Sequence, residues 1–162
     1  MQRKLAAVLY ADVAGYSGLM ERDEEGTHRL LSRALDAIAD SVSRHGGSVA
    51  HYAGDAGLAE FSAAGASVHC AILAQAALTD LNGHLDEQER VRFRMGVNLG
   101  DDIMDRNDIY GDGVNIAARL ETIAAPGGTC ISGSVHDALG PRLQVPAVFL
   151  GEQRVKSIKQ LC

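Results

Sequence analysis

Three short segments carry residues whose types and spacing could do chemistry. The first is Asp12-Val13-Ala14-Gly15-Tyr16-Ser17. A carboxylate followed by a glycine turn and a small polar residue can hold a divalent cation while backbone N–H groups face a phosphate. The plainer alternative is that Asp12 only caps the turn that follows it. The second segment, Gly54-Asp55-Ala56-Gly57, makes a good tight turn for its own sake and also presents a carboxylate. Neither segment has a His or Cys companion, so hard oxygen donors point to Mg²⁺ or Mn²⁺ rather than zinc. The third runs Asp108-Ile109-Tyr110-Gly111-Asp112-Gly113-Val114-Asn115-Ile116-Ala117-Ala118-Arg119-Leu120-Glu121. Asn115 and Arg119 are four apart and share one helix face. With Ile116 and Leu120 on the adjacent, buried face, an amide and a guanidinium stand at its edge. They could address a ribose and a phosphate there. The bland alternative pairs Arg119 with Glu121 or Asp112 on a solvated face.

The elements that position these segments follow from hydrophobic spacing. Residues 5–11 form a continuous apolar run, expected to be a buried central strand. From Asp23 to His45 the pattern is helical, with Leu31, Leu35, Ile38 and Val42 on one face. Gly46-Gly47 stops that helix. Residues 48–53 and 57–61 flank the glycine turn as a strand pair. A second helix covers 64–85 and buries Ala71, Ala74, Leu78 and Leu81, and a strand follows at 91–98. This order defines an α+β fold with a ferredoxin-like βαββαβ core. A helix at 113–124, a strand at 128–132, a helix at 134–139 and one or two edge strands from 145 onward complete one domain, residues 1–162. In such a core the first crossover makes strands one and two parallel. Asp12, just past strand one, and Asp55, in the hairpin leaving strand two, are therefore expected to meet at one sheet edge as a shared two-metal site.

Composition narrows the function classes. The 162 residues carry 15 Lys+Arg against 21 Asp+Glu, a net charge of −6. That argues against a nucleic-acid polymer or an acidic membrane as partner. A nucleotide ligand survives the argument, because metal ions reconcile carboxylates with phosphates. No segment approaches the roughly 20 apolar residues of a membrane span. Three dispersed cysteines without a CxxC pair suggest a reduced, cytoplasmic setting, with Cys70 and Cys130 as small core residues.

Taken together, ADVAGYS, AGDAG and DIYGDGVNIAARLE resemble the catalytic domain of class III adenylate/guanylate cyclases, and more narrowly its soluble bacterial branch. The resemblance runs from Arg3 to Lys159. It implies that Asp12 and Asp55 bind two metal ions and that Gly15, Tyr16 and Ser17 form the turn holding the triphosphate. By the same resemblance Asp108 selects adenine, Asn115 orients the ribose, and Arg119 stabilises the transition state at the α-phosphate. It further implies a head-to-tail homodimer in which one protomer supplies the metals and the other the base, ribose and transition-state contacts. The expected activity is conversion of ATP to 3′,5′-cyclic AMP and pyrophosphate. A guanylate cyclase and a degenerate, nucleotide-binding regulatory module are the alternatives.

One position departs from the family pattern: His51 stands where a lysine usually contacts the adenine ring. Histidine offers one hydrogen bond and is mostly neutral at pH 7, so His51 is either a weaker substrate contact or a plain strand residue. Lys156 and Lys159 resemble basic residues that some members use on the triphosphate, but a solvated edge strand is the better reading of them. Diguanylate cyclases carry GG(D/E)EF in the hairpin, which AGDAG does not match. The resemblance leaves room for a further regulatory or C-terminal domain.

Overall fold

The computed structural model describes residues 2–53, 56–106, 108–139, 152–155 and 158–161. Its centre is a long antiparallel ribbon of β1 (Gln2–Val13) and β4 (Phe93–Asp105). The two strands pair continuously from Gln2 opposite Met104 to Val13 opposite Phe93, with no register shift. On the other side of β1 lies β3 (Ala56–Phe61), which pairs in turn with β2 (Ser48–Ala53). The sheet runs β2-β3-β1-β4-β5, where β5 is Asp108–Tyr110, and β6 (Thr129–Ile131) adds parallel to β4. Two antiparallel steps make β1 and β2 parallel, as the split βαββαβ reading requires.

Period-two alternation explains why β1 reads as an apolar run. Ala7, Leu9 and Ala11 join Phe61, Phe93 and Met95 beneath α2 (Glu24–Arg44) and α3 (Ala64–Asn82). Leu31, Ile38 and Val42 of α2 and Ala71, Ala74 and Leu78 of α3 supply the helical half of that core, with Leu35 and Leu81 partly buried at its margin. Ala6 and Val8 point the opposite way, onto a second cluster with Leu58, Ile109 and Ala117. That face is covered by α4 (Asp112–Ile123). A strand buried on both faces needs apolar residues at every position, and only its middle has them.

The ends of the strands are where expectation and structure differ. β1 extends to Val13, so Asp12 lies within the ladder, opposite Arg94 on one side and Ala56 on the other. A short helix α1 (Tyr16–Arg22) precedes α2. β4 continues to Asp105 and turns back into β5, a three-residue strand too short for any periodicity to announce. Asp23 accepts from the Gly26 N–H and caps α2. The helix α5 (Gly133–Leu139) ends the main body, and β7 (Glu152–Val155) pairs with β8 (Ile158–Leu161) as a separate two-stranded sheet. Cys70 and Cys130 are both buried. Cys70 is a free thiol whose pKa burial pushes up, whereas Cys130 is disulfide-bonded, contrary to the expectation of reduced cysteines throughout. Among the described residues no helix is long and apolar enough to cross a membrane.

Candidate active site

Asp12 is half-buried on the α4 side of the sheet, one carboxylate oxygen fully out of water. Its placement follows from register: Arg94 directly across the ladder must share its face. From above, Glu121 of α4 completes a charged group. Burial, and then the negative charge of Asp12, push the Glu121 carboxyl up to about 7, while the Thr122 hydroxyl and Arg94 pull the other way. A carboxylate whose cost of ionisation its carboxylate neighbour raises, one guanidinium to offset it and no soft donor form an oxygen-donor group that a hard divalent cation would relieve. The chemistry of the donor set thus fits Mg²⁺ or Mn²⁺ at Asp12.

Asp55 and Gly54 lie outside the described residues. The hairpin they belong to is closed by the pairing of Ala53 with Ala56, and Ala56 in turn stands opposite Asp12. His51 is in β2, opposite Leu58, beside a register irregularity between Val49 and His51.

Gly15 adopts a left-handed conformation, φ 67°, and starts α1. Its carbonyl accepts the Leu19 N–H at 3.2 Å. Tyr16 and Ser17 therefore occupy the first turn, where a helix offers its own N–H groups no acceptor. The Tyr16 ring packs on the main core, whereas Ser17 is exposed.

The third segment is held elsewhere. Asp108 accepts its own neighbour's N–H, from Ile109, at 2.8 Å. Its charge and hydrogen bond raise the Tyr110 pKa. Asp108 stands opposite Asp105 at the far end of β4, while Asp12 stands opposite Arg94 at the near end. At about 3.3 Å per residue the unbroken ribbon separates the two levels by on the order of 30 Å. Asn115 and Arg119 are both exposed on the outer face of α4, with Leu120 and Ala117 buried beneath them. Glu121 is buried rather than the surface partner of Arg119. The fold brings Asn115 and Arg119 onto one face and sets Asp108 far from Asp12.

Arg94 and Glu121 are the site residues that sequence reasoning missed. A guanidinium in an alternating stretch, Arg92-Phe93-Arg94, and a glutamate in a helix both look like solvated surface. Only the register opposite Asp12 singles them out.

Two glycines of the third segment also change meaning. Gly111 and Gly113 look like turn glycines beside a phosphate. In the structure a Cβ on Gly113 would fall 2.5 Å from both carboxylate oxygens of Asp102. The space is taken by the protein itself.

Residues 2–161 match the family model described as the adenylate and guanylate cyclase catalytic domain, and the chain belongs to that family. It is 43% identical over 161 residues to "Putative adenylate cyclase 3" of Rhizobium meliloti (strain 1021), covering 99% of this chain and 27% of that protein. It is 32% identical to "Adenylate cyclase 2" of the same organism, covering 91% of this chain and 46% of the other. The chain therefore spans between about a quarter and a half of these curated relatives. Among solved structures, the adenylate/guanylate cyclase/hydrolase from Silicibacter pomeroyi superposes with a TM-score of 0.87 at 40% identity, covering 99% of this chain and 95% of that one. The adenylyl cyclase CyaB from P. aeruginosa shares the fold, with a TM-score of 0.84 at 23% identity, covering 99% and 95% of the two chains.

Proposed function

We propose that residues 1–162 form one catalytic domain that converts ATP to 3′,5′-cyclic AMP and pyrophosphate in a cytoplasmic signalling role, working as a head-to-tail homodimer with shared sites. The observation that carries this reading is the separation along the β1–β4 ribbon. Asp12 and Asp108 sit at opposite ends of one rigid ladder, too far apart to serve one nucleotide from one chain. Pairing two chains in opposite senses lays the Asp12 end of one beside the Asp108 end of the other.

Within such a site Asp12 and Asp55 would hold the metal ions, and the first turn of α1, through Gly15, Tyr16 and Ser17, would cradle the triphosphate. Two divalent ions held there, Mg²⁺ or Mn²⁺, would supply Lewis acidity toward the ribose 3′-hydroxyl and positive charge for the pyrophosphate. Asn115 orients the ribose so that O3′ lies in line with the α-phosphorus. The O3′–P bond forms as the bond from the α-phosphorus to the pyrophosphate oxygen breaks, and the 3′-hydroxyl proton leaves to solvent. Arg119 meets the charge that develops on the α-phosphoryl oxygens, fixed in advance by its helix. Asp108 accepts from the adenine amino group, and His51 donates a single hydrogen bond to the ring. Arg94 offsets the negative charge gathered around Asp12.

Product identification tests the reading. The purified protein is incubated with ATP and with GTP, each with Mg²⁺ and with Mn²⁺. Cyclic AMP formed from ATP, and lost with EDTA, is the expected result. Cyclic GMP as the main product would make it a guanylate cyclase, and no product with either nucleotide would leave a nucleotide-binding module.

A further inference from the structure

Asp102 is fully buried in β4. It pairs with Lys4 of β1, and the even-numbered residues of β1 look toward α4, so the carboxylate points beneath the start of that helix. A carboxylate removed from water is costly unless something compensates. The start of α4 supplies part of that compensation, less than burial costs. The backbone N–H groups of Val114 and Gly113 favour the charged form, although neither oxygen attains a fully formed hydrogen bond. Gly113 leaves the room, and Gly111, at φ 125°, would bring a side chain to 3.3 Å from Oδ1.

The same turn is gripped from its other side. Asn98, 3% exposed and four residues back on β4, donates to the Gly113 carbonyl at 3.4 Å. The Asn98 side-chain oxygen accepts from Ser134 at 3.4 Å. Gly113 thus meets one strand twice, its carbonyl accepting from Asn98 and its Cα packed on the Asp102 carboxylate. Asn115 follows two residues later and Arg119 four after that, on the same rigid helix.

We propose that Asp102 is a positioning residue for cyclisation: its buried carboxylate fixes where α4 begins, and so where Asn115 and Arg119 stand. The proposal rests on the cyclase reading above. The charged surroundings make the carboxylate titratable in a useful range. Asp101 on β4 and Asp112 on α4 add negative charge, and burial contributes most to holding the carboxyl at about 6. Across the ladder, the Lys4 ammonium lies 3.3 Å from Glu60 of β3. Asp108 and Tyr110 stand on β5, which pairs with β4 from Ile103 outward. Above pH 6 Asp102 is ionised and its charge favours the nearby helix N–H groups; below it, the proton removes that attraction while relieving the cost of burying the charge.

The test compares wild type with Asp102→Asn, which keeps the shape and removes the charge. Kinetics are measured with ATP and GTP across the range around pH 6, and amide hydrogen exchange is followed at 113–115. The expected result is a kcat lower by on the order of 10-fold or more at pH 7.5 with KM changed much less. The acid limb of the wild-type kcat near pH 6 disappears, exchange at 113–115 quickens, and Tm does not fall. Gly113→Ala, which pushes a methyl group into the carboxylate, reproduces the kcat loss. A kcat loss that comes with a lowered Tm and an unchanged pH limb makes Asp102 merely structural and overturns the proposal. Kinetics and exchange identical to wild type overturn it too. Should the wild type form no cyclic nucleotide at all, the cyclase reading falls, and the exchange comparison still decides whether Asp102 anchors α4.

Discussion

Gly96 of β4 and Ala117 of α4 touch backbone to backbone: a Cβ on Gly96 would overlap the Ala117 carbonyl oxygen and the Glu121 amide nitrogen. The helix that carries Asn115 and Arg119 therefore lies on the sheet at a distance only a glycine permits. This contact joins the fold to the chemistry, because Glu121, next to Asp12, depends on the same close approach.

Gly96→Ala should lift α4 from the sheet. Overpacking of this kind typically costs about 1–3 kcal/mol, and here the obstacle is backbone that cannot rotate aside. Urea denaturation should show a lower midpoint, and cyclase activity should fall further than the loss of folded protein explains. A variant with wild-type stability and activity would mean that the helix yields without consequence.

Splitting of the site between chains predicts complementation. Asp55→Ala and Arg119→Ala should each lose on the order of 10²–10³ in rate alone, by analogy with the loss of one charge-stabilising donor. Mixed in equal amounts and allowed to exchange, half of the dimers carry one intact site of two. About a quarter of wild-type activity should return. No recovery would show that each chain builds its site alone.

His51→Lys should lower the apparent KM for ATP, since an ammonium offers more donors and a permanent charge where histidine offers one hydrogen bond. Initial rates at varied ATP and fixed metal measure it. An unchanged or higher KM would assign His51 to the strand alone.

The raised carboxyl of Asp102 makes stability depend on pH in a definite direction. Folded Asp102 titrates near 6, above the unfolded value of about 3.9, so the folded chain holds this proton more tightly. Its contribution to stability is fully present below about pH 4 and is lost as pH rises through about 6, by about 3 kcal/mol. Asp102→Asn should flatten that part of the curve of Tm against pH. Parallel curves for the two proteins would place the titration elsewhere.

The central elements were legible because each buries a face of known period. Leu31, Ile38 and Val42 mark α2, Ala71, Ala74 and Leu78 mark α3, and the run through Ala6 to Leu9 marks a strand covered on both sides. The ends were not. Asp12 and Asp102 are polar residues inside strands, and nothing in a one-dimensional pattern says that a helix turn or a cross-strand arginine compensates them. β5 has only three residues, and it is what carries Asp108 to the far end of the ribbon. Arg94 and Glu121 acquire meaning only from register, which depends on residues distant in the chain. Asn115 and Arg119 could be read because helical spacing fixes their common face from local sequence alone.

The unbroken β1–β4 ladder has one more consequence. On the proposed pairing a solitary chain holds two incomplete halves, and no motion within it can join them while the ladder stays paired. Output would then follow encounters between chains. When the protein is dilute, the rate should rise with the square of its concentration, so that doubling the amount of protein quadruples the signal. Any domain that gathers or separates two copies would act as a throttle without touching a catalytic residue.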